Sequence, residues 1–413
     1  MEGLTAWLAA NAWRLEGVRP GGPVEDLRAF GAALDGVRVV GLGEATHGTS
    51  EFFRLKHRLL EFLVVEAGFT ALAMEASVAA SRAVDDYVRG GDGDAAALVA
   101  GLGFWTWRTE EVLALVEWMR SHNRRVAPER HVRFVGIDAQ HSGDAVERLA
   151  GFLRVVAPEE ADGRRAAFDV LREARPGSRP DPAGALRAEM ERLVDAVEGR
   201  RAEFAERVGE GAVAEAVEDV RLLVHSADLI SRLFDPADTE GGVFTARERY
   251  MAEAVDALVD GSPSRRVVVW AHNGHVASGL CAGVPALGAR LRERYGDAYY
   301  ALALLLGEGS FRARRGADVR RPVRRNRIGR PGAHTLEGLL ARAVPVDHLV
   351  DLRAAGEADA EVREALRQTY AHRTFGAAVP RFLYRLNAAP VVPAEEFDGL
   401  AYVARSTCSR PLP

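Results

Sequence analysis

Val39-Val40-Gly41-Leu42-Gly43-Glu44-Ala45-Thr46-His47-Gly48 reads as an apolar strand ending in a glycine-rich turn that carries a carboxylate and an imidazole three residues apart. Three more apolar runs end in the same manner: Thr70-Ala71-Leu72-Ala73-Met74-Glu75, Val132-Arg133-Phe134-Val135-Gly136-Ile137-Asp138, and Val267-Val268-Val269-Trp270-Ala271-His272-Asn273-Gly274-His275. Near-continuous apolar strands suit a parallel sheet covered by helices on both faces. In such a sheet ligands bind in the crevice beyond the carboxyl ends of the strands. Polar ends gathered at that edge point to an enzyme.

Outward from this stretch, strand-like 37–42, helix-like 49–67, strand-like 70–75 and helix-like 78–89 alternate as βαβ units do. Thr109 reads as the N-cap of a helix running to Ala127, with Glu110 and Glu111 complementing the positive end of its dipole. Residues 144–260 keep helical periodicity with almost no strand signal, interrupted at Arg175-Pro176-Gly177-Ser178-Arg179-Pro180-Asp181-Pro182. Strand character resumes at 266–271, 298–306 and 346–351. The expected fold is α/β: a mostly parallel sheet flanked by helices, built from 1–143 and 261–413, with 144–260 as a helical insertion or lid. The segment Arg312 to Arg330, nine arginines against the one acid Asp318, reads as a solvated loop.

Composition narrows the function. With 48% hydrophobic and 27% charged residues the chain is an ordinary globular protein, and a net charge of -5 gives no reason to expect nucleic acid. The start Met1-Glu2-Gly3-Leu4-Thr5-Ala6-Trp7-Leu8 lacks a basic leader region, and Leu4, Trp7 and Leu8 fall on one helical stripe. No apolar run reaches the roughly 18 residues of a membrane span. Cys281 and Cys408 match neither a disulfide framework nor a metal motif and suit a reducing cytoplasm. A small-molecule substrate is the expected partner.

Glu44 and His47 form the sharpest pair, because a carboxylate that orients an imidazole and stabilises its charged form makes a general base. Glu75 supplies a second carboxylate. Gly274 permits a tight turn that aims His272 and His275 into the same crevice. These three histidines with Glu44 and Glu75 also make a conceivable metal ligand set, but the His-Glu-x-x-His spacing is absent. Gly41-Leu42-Gly43 begins like a dinucleotide turn. Thr46 stands where the third glycine belongs, and Glu44 repels a pyrophosphate. No Gly-x-Ser-x-Gly elbow occurs, which leaves water as the simplest nucleophile. Trp105 and Trp107 are placed to wall an apolar pocket, and Arg247 to stabilise a developing anion.

The motifs Gly43 to Phe53, Ala73-Met74-Glu75, Trp105 to Glu111, Gly136 to Gln140, Arg247 to Ala252 and Trp270 to His275 together resemble the erythromycin esterase family. The resemblance implies a sheet flanked by helices with a movable helical subdomain. It also implies a metal-independent hydrolase without cofactor in which His47 activates water, supported by Glu44 and Glu75, with His272 and His275 lining the cleft. Lys56 stands where relatives commonly carry arginine, and Glu248 where they often carry aspartate. The expected reaction is hydrolysis of an ester or lactone in a medium-sized apolar substrate, with catalytic His47, Glu44, Glu75 and His272 and substrate contacts from His275, Lys56, Trp105, Trp107, Asp138 and Arg247. The alternatives are a non-hydrolytic cyclisation, elimination or acyl rearrangement of a natural product at the same site, and a non-catalytic ligand binder.

Overall fold

A ten-stranded sheet organises the chain, whose computed structural model describes residues 2–179, 181, 183–233, 241–316 and 318–413. In chain order its strands are β1 (Ala12–Arg14), β2 (Val39–Leu42), β3 (Ala71–Ser77), β4 (Arg133–Asp138), β5 (Val267–Trp270), β6 (Tyr299–Arg315), β7 (Val323–Ile328), β8 (His348–Asp351), β9 (Ala378–Val379) and β10 (Gly399–Ser406). Across the sheet they run β1-β8-β10-β6-β2-β5-β3-β4, with β7 and β9 paired to the far part of β6. Neighbours from β10 to β4 are all parallel, while β8 is antiparallel to both strands beside it. The expected α/β class with a mostly parallel, helix-flanked sheet is what the chain adopts.

The decisive stretch lies mid-sheet. Val39 pairs with Tyr299 on one side and Val267 on the other, and Leu42 with Leu302 and Trp270. The four strands whose polar ends the sequence singled out, β2, β5, β3 and β4, are consecutive neighbours. Alternation along β5 divides the core: Val268 and Trp270 pack beneath Phe52, Leu59, Leu72 and Phe134, and Val267, Val269 and Ala271 face Val255, Leu287 and Leu291. Leu4 and Leu8 are buried in the helix Glu2–Asn11, as their spacing predicts.

Between β4 and β5 every described regular element is a helix. Leu149, Phe168, Met190, Leu193, Val220 and Leu223 give this region its own hydrophobic cluster. Its last helix, Val243–Asp260, belongs to both bodies: Ala246 and Tyr250 enter that cluster, and Met251, Val255 and Val259 pack on the sheet. Pro180 and Pro182 of the predicted break lie outside the described residues. Among the described residues no helix is long and apolar enough to cross a membrane.

Two readings need correction. The arginine-rich segment is largely a β-hairpin, with Ser310 to Arg314 of β6 paired antiparallel to β7, because Phe311, Ala313, Asn326 and Ile328 alternate inward between the arginines. The sheet also gains β10, a buried central strand with no polar end motif to announce it.

Candidate active site

Glu44 emerges where β2 ends and is wholly buried. One carboxylate oxygen lies 2.8 Å from His47 Nδ1 and the other 2.8 Å from Lys56 Nζ. An ionised carboxylate only accepts, so it fixes the imidazole proton on Nδ1 and leaves the Nε2 lone pair free to take another. The turn is held from outside: Asn273 N–H donates to the Glu44 carbonyl at 2.9 Å and Phe375 N–H to the Ala45 carbonyl at 2.7 Å. Gly43 is required, since a Cβ there would meet Asn273 Oδ1 at 2.2 Å.

Lys56 comes from the helix Ser50–Val65, one face of which lies against the sheet. Its Nζ donates to the Ala271 carbonyl at 3.0 Å and sits 4.8 Å from the centre of the Trp270 ring. Burial pushes the ammonium down to about 8, against the pull of Glu44 and Glu75. With no exposed surface it backs Glu44 and does not line the cleft, which corrects its expected place at the substrate.

A shift in strand pairing between Met74 and Ser77 falls at Glu75, near the carboxyl end of β3. Its Oε1 accepts from Arg247 Nη2 at 2.6 Å and lies 3.2 Å from His275 Nε2, and its Oε2 accepts from the His272 backbone N–H at 3.0 Å. Burial opposes its charge, but His275, Arg247 and His47 hold the carboxyl well below the usual range. Asp138, fully buried, accepts from Arg247 Nε at 3.1 Å and Nη2 at 2.7 Å. Arg247 is thereby clamped by two strand ends. Asp138 anchors that arginine from below and does not reach the cleft, a second correction.

The two histidines after β5 take different states. His272 Nδ1 accepts from Gly274 N–H at 3.2 Å, which puts the proton of a neutral ring on Nε2, 3.5 Å from Thr374 Oγ1. Burial, then the nearby His47 and His275, hold it well below the ordinary histidine range. For His275 burial also disfavours charge, but the Glu248 and Glu75 carboxylates outweigh it and keep the imidazolium well above that range. Its Nδ1 lies 2.6 Å from Glu248 Oε1. The His47 and His272 rings stand 5.1 Å apart, and the Trp107 indole is edge-on to His47 at 5.7 Å, its Nε1 donating to the Glu75 carbonyl at 2.8 Å.

These groups open onto a cavity of about 290 Å³ lined by His47, Glu75, Trp107, Arg247, His272 and His275, with Phe104, Thr106, Gln140, Gly376 and Ala377 completing the wall. Trp105 is not on that wall; it lies under Arg312 and Arg314, because consecutive residues of the Phe104–Trp107 turn diverge. Gly376 and Ala377 come from a C-terminal segment whose sequence gave no signal beyond its glycine. Glu248, which fixes His275, neighbours Arg247 on the same helix; the family motif contains it, but no role was read for it there.

Glu248, His275 and Cys281 present ligand atoms within 4.8 Å of one another. Two ligands of one tetrahedral ion at about 2.0–2.3 Å stand roughly 3 Å or more apart. The 2.6 Å contact between His275 and Glu248 is shorter than that. As arranged, the three do not fit an ion.

The sequence profile of the erythromycin esterase family matches residues 64–406. Erythromycin esterase type II of Escherichia coli is 25% identical over 308 residues, 68% of this chain and 71% of its own length. A crystal structure of a Bacillus cereus protein superposes with a TM-score of 0.81 at 20% identity, covering 100% of this chain and 99% of the other. A variant of the erythromycin esterase EreC in its open conformation does so with a TM-score of 0.71 at 16% identity, covering 97% and 98%. With a profile match across most of its length and the same fold, the chain belongs to the erythromycin esterase family.

Proposed function

We propose that the protein is a metal-independent hydrolase that cleaves an ester or lactone in a medium-sized, largely apolar substrate by attack of a water that His47 deprotonates. The observation that carries this reading is the Glu44–His47 bond of 2.8 Å, which leaves Nε2 as the base beside the cavity. In the reaction His47 Nε2 takes a proton as water oxygen bonds to the carbonyl carbon. The carbonyl oxygen gains negative charge and accepts from His272 Nε2–H, a donor that stays neutral at physiological pH. The tetrahedral intermediate then expels the alkoxide, which receives the proton held by His47, leaving a carboxylic acid and an alcohol.

Arg247 is held by Asp138 and Glu75, so it supplies a fixed positive field at the cleft and positions Glu75 beneath His272. Phe104, Trp107, Gly376 and Ala377 give the apolar wall expected around such a substrate. The helical region 144–260, which delivers Arg247, serves as the lid.

The test is steady-state kinetics of His47→Ala on the ester or lactone that the wild type turns over. General-base loss costs about 100-fold to 10,000-fold in kcat. A folded variant with near wild-type turnover would sink the assignment.

A further inference from the structure

Beside the cleft, Arg312 and Arg314 project from the same face of β6, two residues apart, while Ala313 between them is buried on the opposite face. Both guanidinium groups lie over the Trp105 ring, at 5.4 and 5.7 Å from its centre. Trp105 Nε1, Arg312 Nη1 and Arg314 Nε are each shielded from solvent and have no acceptor among the described residues. Neither arginine forms an ion pair with a described carboxylate, whereas the buried guanidinium groups of Arg58 and Arg247 do. Burial lowers the affinity of both for their protons, opposed at Arg312 by Cys408 and Glu111, and Arg175, from the helical region, adds a third positive charge near Arg314. Shielded donors of one sign left without acceptors are costly, and clusters of this kind match oxyanions.

The cluster adjoins the catalytic cavity through its backbone. Arg312 N–H donates to the Gly48 carbonyl, next to His47, at 2.9 Å, and Arg314 N–H to the carbonyl of the cavity residue Ala377 at 3.1 Å. Phe104 and Thr106, on either side of Trp105, line the cavity as well.

We propose that Arg312, Arg314 and Trp105 form an oxyanion-binding subsite that holds an acidic substituent, a carboxylate or phosphate, of the substrate whose ester or lactone reaches His47. This deepens the hydrolase reading and rests on it for the word substrate, but the subsite itself binds anions whether or not the protein turns anything over. It disfavours substrates that carry a cationic amine at this position.

The experiment is calorimetric titration of the full chain with inorganic phosphate and, separately, with succinate, at low ionic strength and without turnover. Arg312→Gln and Arg314→Gln each remove a charge, Trp105→Phe removes the indole N–H together with part of the ring, and Arg324→Gln alters an exposed arginine of the same hairpin that pairs with Ala313 on the other face. Saturable binding of either anion is expected in the wild type, at least tenfold weaker in each arginine variant of the subsite, several-fold weaker in Trp105→Phe and unchanged in Arg324→Gln. The tighter of the two anions identifies the substituent. Absence of saturable binding by both, or an equal loss in Arg324→Gln, overturns the subsite. A protein that binds anions yet cleaves no ester would instead overturn the hydrolase reading alone.

Discussion

At Glu44 one buried carboxylate serves two partners, an imidazole that must exchange protons and an ammonium that must not. Lys56 holds one oxygen of the Glu44 carboxylate and His47 Nδ1 the other, which sets the His47 proton on Nδ1. As pH rises through about 8, Lys56 loses its proton, and kcat/KM is expected to fall. Lys56→Arg, whose guanidinium does not titrate in this range, should lose that alkaline limb. Stability moves the other way. Between about pH 8 and the ordinary lysine value of 10.5 the unfolded chain binds more protons here than the folded one, so this group makes the protein more stable as pH rises through that window. Denaturant titrations at pH 7.5 and 9.5, read beside the rate profile, check the opposed signs. Little of this was legible: the family resemblance set Lys56 at the substrate, yet Lys56, His57 and Arg58 are all buried because the sheet and the N-terminal segment enclose that helix. Glu44, His47, Glu75 and His272 were legible because a polar residue ending an apolar strand has one place to go.

Among the elements, the strand ends are tied to one another by side chains acting on neighbouring backbone. Asn273 crosses from the turn after β5 to β6, its Nδ2 donating to the Leu304 carbonyl at 3.0 Å and its Oδ1 accepting from the Leu304 N–H at 3.1 Å. Asn273→Ala strands both buried backbone groups, each costing about 1–3 kcal/mol. Urea unfolding should show a loss of at least about 2 kcal/mol, and a variant as stable as the wild type would show that these bonds do not hold the turn. The helix starting at Glu110 was readable because Thr109 caps it, accepting from Val112 N–H at 3.2 Å. The hairpin of β6 and β7 was not, since arginine dominates its outward positions and masks the two-residue alternation of its small buried face. The strand β10 was equally hidden, lacking any terminal motif.

Across the whole molecule, the helix Val243–Asp260 packs on both the sheet and the helical region and carries Arg247 and Glu248 to the strand ends. The cleft therefore draws on both parts of the α/β core, on the helical region and on a C-terminal segment, and only the first was well marked in the sequence. Its chemistry is claimed to be attack of water on an acyl carbon. The most direct measurement is mass spectrometry of product formed in oxygen-18 water by wild-type protein acting on a panel of lactones and esters. The account predicts one oxygen-18 atom in the product carboxyl group. A turnover product that has merely isomerised or lost water, with no label gained, would contradict it and place the same acid-base residues in a non-hydrolytic reaction.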